Sequence, residues 1–416
     1  MKVSLNTLSI ALLAALVAPA AHAEVALDVI GGSEVSFEGL VQADYNSFDV
    51  DTIDYGADAA PPCSTSTDCD GDEYMQELRR AELVLKGKGP GNFEWVLGYD
   101  AKDDKWLDAN VKYKFGNNAN HFLQLGQFKQ PGATMEELSS TKNNDFMSKS
   151  SITNSLGTPR RVGLQYNYGD VNWGLTGSFF SREMTRNREH GNGYALRGYW
   201  APINDAGSIL HIGASYLDKD TDGDGIRLRA RPMADLTGIR FVDTGSSVTS
   251  ANSLNNRSDR VSNIGLEGLW VTGPFKLQGE YMTTDVQRTD GLDDFSGDGF
   301  YVSGLWNITG ETWGYKGGVP VTNLPDEPGL GMWQLGLRYD TIDLNDGSPI
   351  NGGASVDGVL GGKMDSWTMG VNWYWRSNFK FMLNYVMVNQ EKYSTSLLAN
   401  AEDNPNVTQV RLQFYW

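Results

Sequence analysis

Apolar and polar residues alternate with a period of two, segment after segment, from residue 35 to the C-terminus, and this pattern constrains the chain more than any other feature. In 366–376, Trp367, Met369, Val371, Trp373 and Trp375 share one face, against Thr368, Gly370, Asn372, Tyr374 and Arg376. Val162, Leu164, Tyr166 and Tyr168 oppose Gly163, Gln165 and Asn167, and Trp333, Leu335, Leu337 and Tyr339 oppose Gln334, Gly336, Arg338 and Asp340. Sixteen segments read as strands: 35–48, 73–88, 92–102, 105–116, 121–130, 160–169, 171–182, 192–202, 208–218, 262–272, 275–288, 298–309, 331–344, 364–376, 379–391 and 406–416. Several exceed the roughly 5–6 residues usual for strands of globular proteins.

The breaks are of two kinds. Lys88-Gly89-Pro90-Gly91, Gly169-Asp170, Thr272-Gly273-Pro274 and Ser377-Asn378 are short, whereas 49–72, 132–159, 219–261, 310–330 and 345–363 are long. Short turns at one end and long loops at the other describe an outer-membrane barrel. After residue 23 no apolar run approaches the ~20 residues of a membrane helix, which excludes a helical membrane protein. A soluble sandwich also alternates, but its strands seldom end so often in Trp and Tyr; such ends fit the aromatic girdles at membrane interfaces. The last segment, VTQVRLQFYW, sets Val410, Leu412, Phe414 and Trp416 against Gln409, Arg411, Gln413 and Tyr415, and ends in an aromatic. The expected fold is all-β: a 16-stranded antiparallel transmembrane β-barrel in the bacterial outer membrane, its outer face against lipid.

Residues 1–23 carry Lys2, an apolar stretch from Leu8 to Val17, and Ala21-His22-Ala23 as a small-x-small cleavage site, the pattern of an export signal. The barrel domain then occupies 24–416. Cys63 and Cys69 lie in the polar stretch PPCSTSTDCDGDE and, in an oxidising compartment, would close a small loop disulfide. A net charge of −18 argues against nucleic acid as the partner. No Gly-rich nucleotide loop follows a strand, and His121, His190 and His211 lie in no nucleophile motif, so the chain reads as neither enzyme nor cofactor carrier. Asp220, Asp222 and Asp224 in DKDTDGDG resemble the start of a calcium loop, but position 12, where a bidentate Glu is needed, is Arg231.

Against this acidic background the bases cluster. Arg79 and Arg80 lie in ELRRAELVL, and GIRLRARP carries Arg227, Arg229 and Arg231 at i, i+2 and i+4. In extended chain that spacing puts the three guanidiniums on one side, about 6.6–6.8 Å apart. Adjacent cations repel, so the row suits a partner of opposite sign, and Arg suits planar contact to phosphate or carboxylate. A solvated loop with coincidental spacing is the other reading.

Several segments together resemble the phosphate- and polyphosphate-selective porin family, the O and P type porins of Gram-negative outer membranes. They are RRAELVL (79–85), LGQFKQP (125–131), EELSSTK (136–142), GIRLRARP, GIRFVDTG (238–245), IGLEGLWVTGPFKLQGEY (264–281) and MGVNWYW (369–375). The resemblance implies a homotrimer of sixteen-stranded barrels, with loop 132–159 folded into the lumen and an arginine ladder descending to a basic constriction. Carried across, the ladder falls on Arg227, Arg229 and Arg231; its next rung is replaced by Asp235 or displaced to Arg240, and Arg257 or Arg260 supplies another. The constriction falls on Arg79 and Arg80. Ala81, Leu83 and Leu85 share the parity of Arg79, so only a bulge would turn both arginines inward. Lys149 in the folded loop and Lys316 after the twelfth strand complete the candidate anion-binding set. Where phosphate-specific members have a central loop lysine, this chain reads Met135-Glu136-Glu137-Leu138, and the acid partner falls near Leu107 or Asp108. The expected function is passive diffusion of phosphate or polyphosphate-type anions; a general or carbohydrate-type porin, or a surface-binding barrel, is the rival.

Overall fold

The computed structural model describes residues 25–416 apart from 31, 50–72, 186–190, 223–224, 238–239, 246–252, 256, 324, 377 and 396. The export signal, both cysteines and Asp224 therefore lie outside the described residues.

Sixteen strands form one closed antiparallel barrel. They are β1 (Ser33–Asp49), β2 (Glu73–Lys88), β3 (Phe93–Asp100), β4 (Lys105–Lys114), β5 (Phe122–Lys129), β6 (Arg160–Gly169), β7 (Trp173–Phe180) and β8 (Gly193–Asp205). The second half is β9 (Ser208–Asp220), β10 (Ser258–Thr272), β11 (Phe275–Arg288), β12 (Phe295–Asn307), β13 (Met332–Ile350), β14 (Ser355–Trp375), β15 (Phe379–Ser394) and β16 (Asn406–Tyr415). Each pairs with its sequence neighbour, and β1 closes on β16 with Leu40 opposite Tyr415 and Asp49 opposite Asn406. Through the wall each strand pairs with a neighbour on both sides, the condition for crossing lipid with strands. Val25–Ile30 pairs with β1, and Ala399–Asp403 with β15.

Burial is inverted relative to a soluble protein. Leu164, Tyr166, Trp270, Leu337, Trp367 and Met369 are exposed on the outside. Gln42, Asn372, Lys380, Arg411 and Gln413 are buried inside. A lipid-facing belt and a polar lumen explain both. Trp333 stacks on Trp373, Phe275 on Trp306, and Phe414 lies against Trp416, building an aromatic belt at the short-turn end.

Two connections differ from the sequence expectation. Segment 345–363, rich in Gly, Asp and Asn, is largely strand: β13 and β14 stay paired from Asn345↔Leu360 out to Ile350↔Ser355. Positive φ at Gly358 and Gly362 takes up the irregularities, so a composition that normally ends strands is absorbed into a projecting ribbon. The other is 308–331. It follows an even-numbered strand and so lies at the short-turn end, not with the long loops. It forms a hairpin, Trp313–Lys316 paired with Val319–Thr322. Gly317 (φ 60°) and Gly318 (φ 80°) supply the two positive-φ positions of its turn. The hairpin tucks into the lumen: Trp313 is buried, the Tyr315 hydroxyl hydrogen-bonds His211 Nδ1 at 2.6 Å, and Arg197 donates to the Gly318 carbonyl at 2.7 Å.

Candidate functional site

The loop 130–159 crosses the lumen and is held by the wall β11–β16. Two short helices shape it, α1 (Met135–Leu138) and α2 (Ser151–Ser155), capped by Thr134 and Ser150. Their free N–H groups meet wall carboxylates. Glu280 on β11 accepts from Met135 N at 2.5 Å and Glu136 N at 2.9 Å, and Asp340 on β13 accepts from Ser151 N at 3.0 Å. Wall cations take up the loop's carbonyls and two of its acids, Asp145 and Glu136. Arg338 donates to Ser148 O at 3.0 Å, Lys380 to Asn144 O at 2.6 Å and Arg411 to Met147 O at 2.9 Å, while Lys276 pairs with Asp145 at 2.6 Å. These groups carry the loop on one side of the barrel, which leaves the open path between its free edge and the wall β1–β6.

Two cavities follow that path. One, of about 230 Å³, is lined by Arg79, Arg80, Lys105, Glu137, Lys149 and Asp235 among others. The second, of about 440 Å³, is lined by Lys86, Lys112, Lys129, Leu138 and Lys142 with Glu38, Glu82, Glu94 and Asp108. They meet at Leu107, Thr141 and Arg160, which line both. Ten basic and seven acidic side chains line the two together, so the path is positive despite the acidic chain.

Arg79 and Arg80 both face this path. Gln42 pairs with Arg80 and Ala43 with Leu78, so Arg79 is an extra residue in β2. That bulge breaks the alternation and turns both guanidiniums inward. Each eyelet cation has an acid beside it. Arg79 pairs with Asp235 at 3.1 Å, Arg80 with Glu82 at 2.9 Å, Arg160 with Asp108 at 3.0 Å, and Lys149 with Glu137. Burial raises the Asp235 carboxyl, but Arg79 and Arg411 outweigh it and hold the group well below the carboxylate range. Burial likewise pushes Glu137 up, and Lys149, Lys129 and Arg160 bring it down to about 2. Glu136 turns away into the seam, accepting from Ser150 N at 2.8 Å, while Leu138 faces the larger cavity.

The arginine row lies in the loop after β9. Ile226, Leu228 and Ala230 are buried in an apolar cluster with α2 residues and the wall, and this fixes the alternate residues Arg227, Arg229 and Arg231 on the opposite side. Arg227 donates to Asp243 at 2.8 Å. Arg240 joins the group: burial lowers its pKa to about 10, and Arg231 and Arg229 push the same way. Arg231 is lowered too, chiefly by burial. Arg257 pairs with exposed Asp290 at 2.9 Å, at the mouth. Arg260 is no rung: it shares the outward parity of Ile264 and Leu266 and donates to Asp218 at 2.9 Å on the outer face.

Lys316 sits at the tip of the 313–322 hairpin, at the short-turn end of the barrel. The sequence reading named the row, Arg79, Arg80, Lys149 and Lys316, the last on a connection it set with the long loops, and it missed the lysines around the second cavity. Lys112 was legible, since it opposes Val111 and Tyr113 in the alternation. Lys129 and Arg160 were not. Both carry the parity of lipid-facing Leu125 and Leu164, and they reach the cavity only because they flank the folded loop. Among the described residues no cluster of His, Cys, Asp and Glu suits a metal ion.

Residues 41–416 match the family described as "Phosphate-selective porin O and P". "Porin O" of Pseudomonas aeruginosa is 26% identical over 430 aligned residues, which cover 94% of this chain and 92% of that protein. An uncharacterised protein of Caulobacter vibrioides is 26% identical over 82% of this chain and 68% of its own length. Among solved structures the fold is shared with OmpT of Vibrio cholerae (TM-score 0.54, 10% identity, 94% and 99% of the chains). It is shared too with an anion-selective porin from Comamonas acidovorans (0.52, 10%, 92% and 100%) and the channel DcaP of Acinetobacter baumannii (0.54, 13%, 94% and 100%). With a closed barrel, a loop folded across its lumen and a family match over nearly all of its described length, the chain belongs to the phosphate-selective porin O and P family and is a non-enzymatic porin of the outer membrane.

Proposed function

We propose that this porin is an anion-selective, water-filled channel, assembled as a homotrimer, that passes phosphate-containing anions and favours extended ones over orthophosphate. The observation that carries the reading is the basic lining of the path, Arg79, Arg80 and Lys149 around the smaller cavity and Lys86 and Lys112 around the larger; the row Arg227, Arg229 and Arg231 with Arg240 in the loop after β9, and Lys316 on the hairpin after β12, extend it. Successive weak sites concentrate an anion and still release it. Lumen charges act within the ~8 Å screening length at physiological salt, so acids on distant loops do not cancel them. The trimeric form of OmpT among the structural neighbours supports the trimer. Residues 1–23 fit the export step that such a channel requires.

The preference for extended anions rests on the acids at the constriction. A compact dianion needs a closed ring of donors, and each charge-assisted hydrogen bond it lacks costs about 1.5–3 kcal/mol. That is roughly a tenfold to hundredfold loss of affinity. A polyphosphate spans the arginine row and loses less. The expected result is that a short polyphosphate half-blocks chloride current in planar bilayers at a lower concentration than orthophosphate. Orthophosphate blocking at equal or lower concentration would refute this preference. A general diffusion porin is the second reading, favoured by the acid beside each eyelet cation.

A further inference from the structure

Glu137 stands where a permeating anion would be held. It lines the smaller cavity beside the junction at Leu107, Thr141 and Arg160. Its carboxylate is bonded to Lys149 and lies in the field of Lys129 and Arg160. Lys129 Nζ also donates to the carbonyls of Glu137, at 2.5 Å, and Ser139, at 2.7 Å, so it is pinned to the same turn of loop. The carboxylate and Lys149 are both largely buried, with side-chain exposures of 11% and 13%. A carboxylate presents two planar oxygens, much as a face of a phosphate does, and cations arranged for one suit the other.

We infer that Glu137 is a tethered counter-anion: it occupies the oxyanion site made by Lys149, Lys129 and Arg160, and so sets how weakly the channel holds compact anions. This rests on the anion-channel reading and deepens it. A ligand entering the eyelet must displace a carboxylate carried on the loop itself, whose effective concentration is in the millimolar range expected of a short tether or higher. Orthophosphate therefore competes at a disadvantage in the narrow region. Glu136, the adjacent acid, does not share this role, because Arg338 and Ser150 hold it in the seam behind the loop.

The test compares wild type, Glu137→Gln and Glu137→Gln/Lys149→Gln in planar bilayers, with orthophosphate titrated against chloride current. Gln keeps the shape of the side chain, and the helix cap uses the Glu137 backbone N–H, so the loop retains its local structure. Glu137→Gln is expected to lower the half-blocking concentration of orthophosphate at least tenfold, and removing Lys149 as well is expected to cancel that gain. An unchanged half-blocking concentration in Glu137→Gln, in a channel that stays anion-selective, would overturn the inference alone. A gain that persists without Lys149 would overturn the assigned site. A cation-selective wild type would overturn the anion-channel reading from which the inference starts.

Discussion

Replacing Arg227, Arg229 and Arg231 together by Glu is expected to lower anion conductance or reverse the selectivity of the channel. Each exchange moves the local charge by two units of sign, and the three lie on one side of one extended segment. Their backbone is held by Ile226, Leu228 and Ala230 in the inner apolar cluster, so the substitutions leave that packing in place. The fields involved are short-range, and the effect belongs to the lumen, not to the acidic surface. Burial takes Arg240 down to about 10, with Arg231 and Arg229 pushing the same way, so positive charge is crowded here. Reversal potential in a potassium chloride gradient reads the outcome. A triple variant indistinguishable from wild type would make the row a solvated loop.

Removing Arg411 alone is expected to destabilise the barrel by about 3–5 kcal/mol, the range for stranding one partner of a buried ion pair. Arg411 faces Asp44 across the β1–β16 closure, donating to it at 2.6 and 2.7 Å, with side-chain exposures of only 3% and 2%. Arg411→Ala leaves the Asp44 carboxylate buried without its cation, and it also frees the Met147 carbonyl that helps hold the lumen loop. The double variant Asp44→Ala/Arg411→Ala removes both charges and should recover a large part of the loss. The temperature at which the folded band disappears on semi-native gels reports both. Equal losses in the single and double variants would show that packing, not charge, holds the seam.

The barrel was legible because its signal is repetitive. A wrong face in one segment of period-two alternation cannot hide fifteen others, and lipid on one side with water on the other makes the contrast between faces large. The basic lining of the smaller cavity was legible in part. That Arg79 and Arg80 needed a bulge to face inward follows from Ala81, Leu83 and Leu85; that β2 contains the bulge is a fact of pairing between distant strands, which no local pattern records. The hairpin after β12 was misplaced for a related reason. Length marks a connection as long, but only the parity of the preceding strand says which end it occupies, and nothing local says that it turns inward to meet His211 and Arg197. The acid partners are the furthest from sequence: Asp235 meets Arg79 across 156 positions, and Asp108 meets Arg160 across 52.

One measurement bears most directly on the central claim: the reversal potential of the purified wild-type channel across a planar bilayer in a potassium chloride gradient. The basic path between the lumen loop and β1–β6 predicts a potential displaced toward the chloride equilibrium value. A potential displaced toward the potassium equilibrium value would contradict the account.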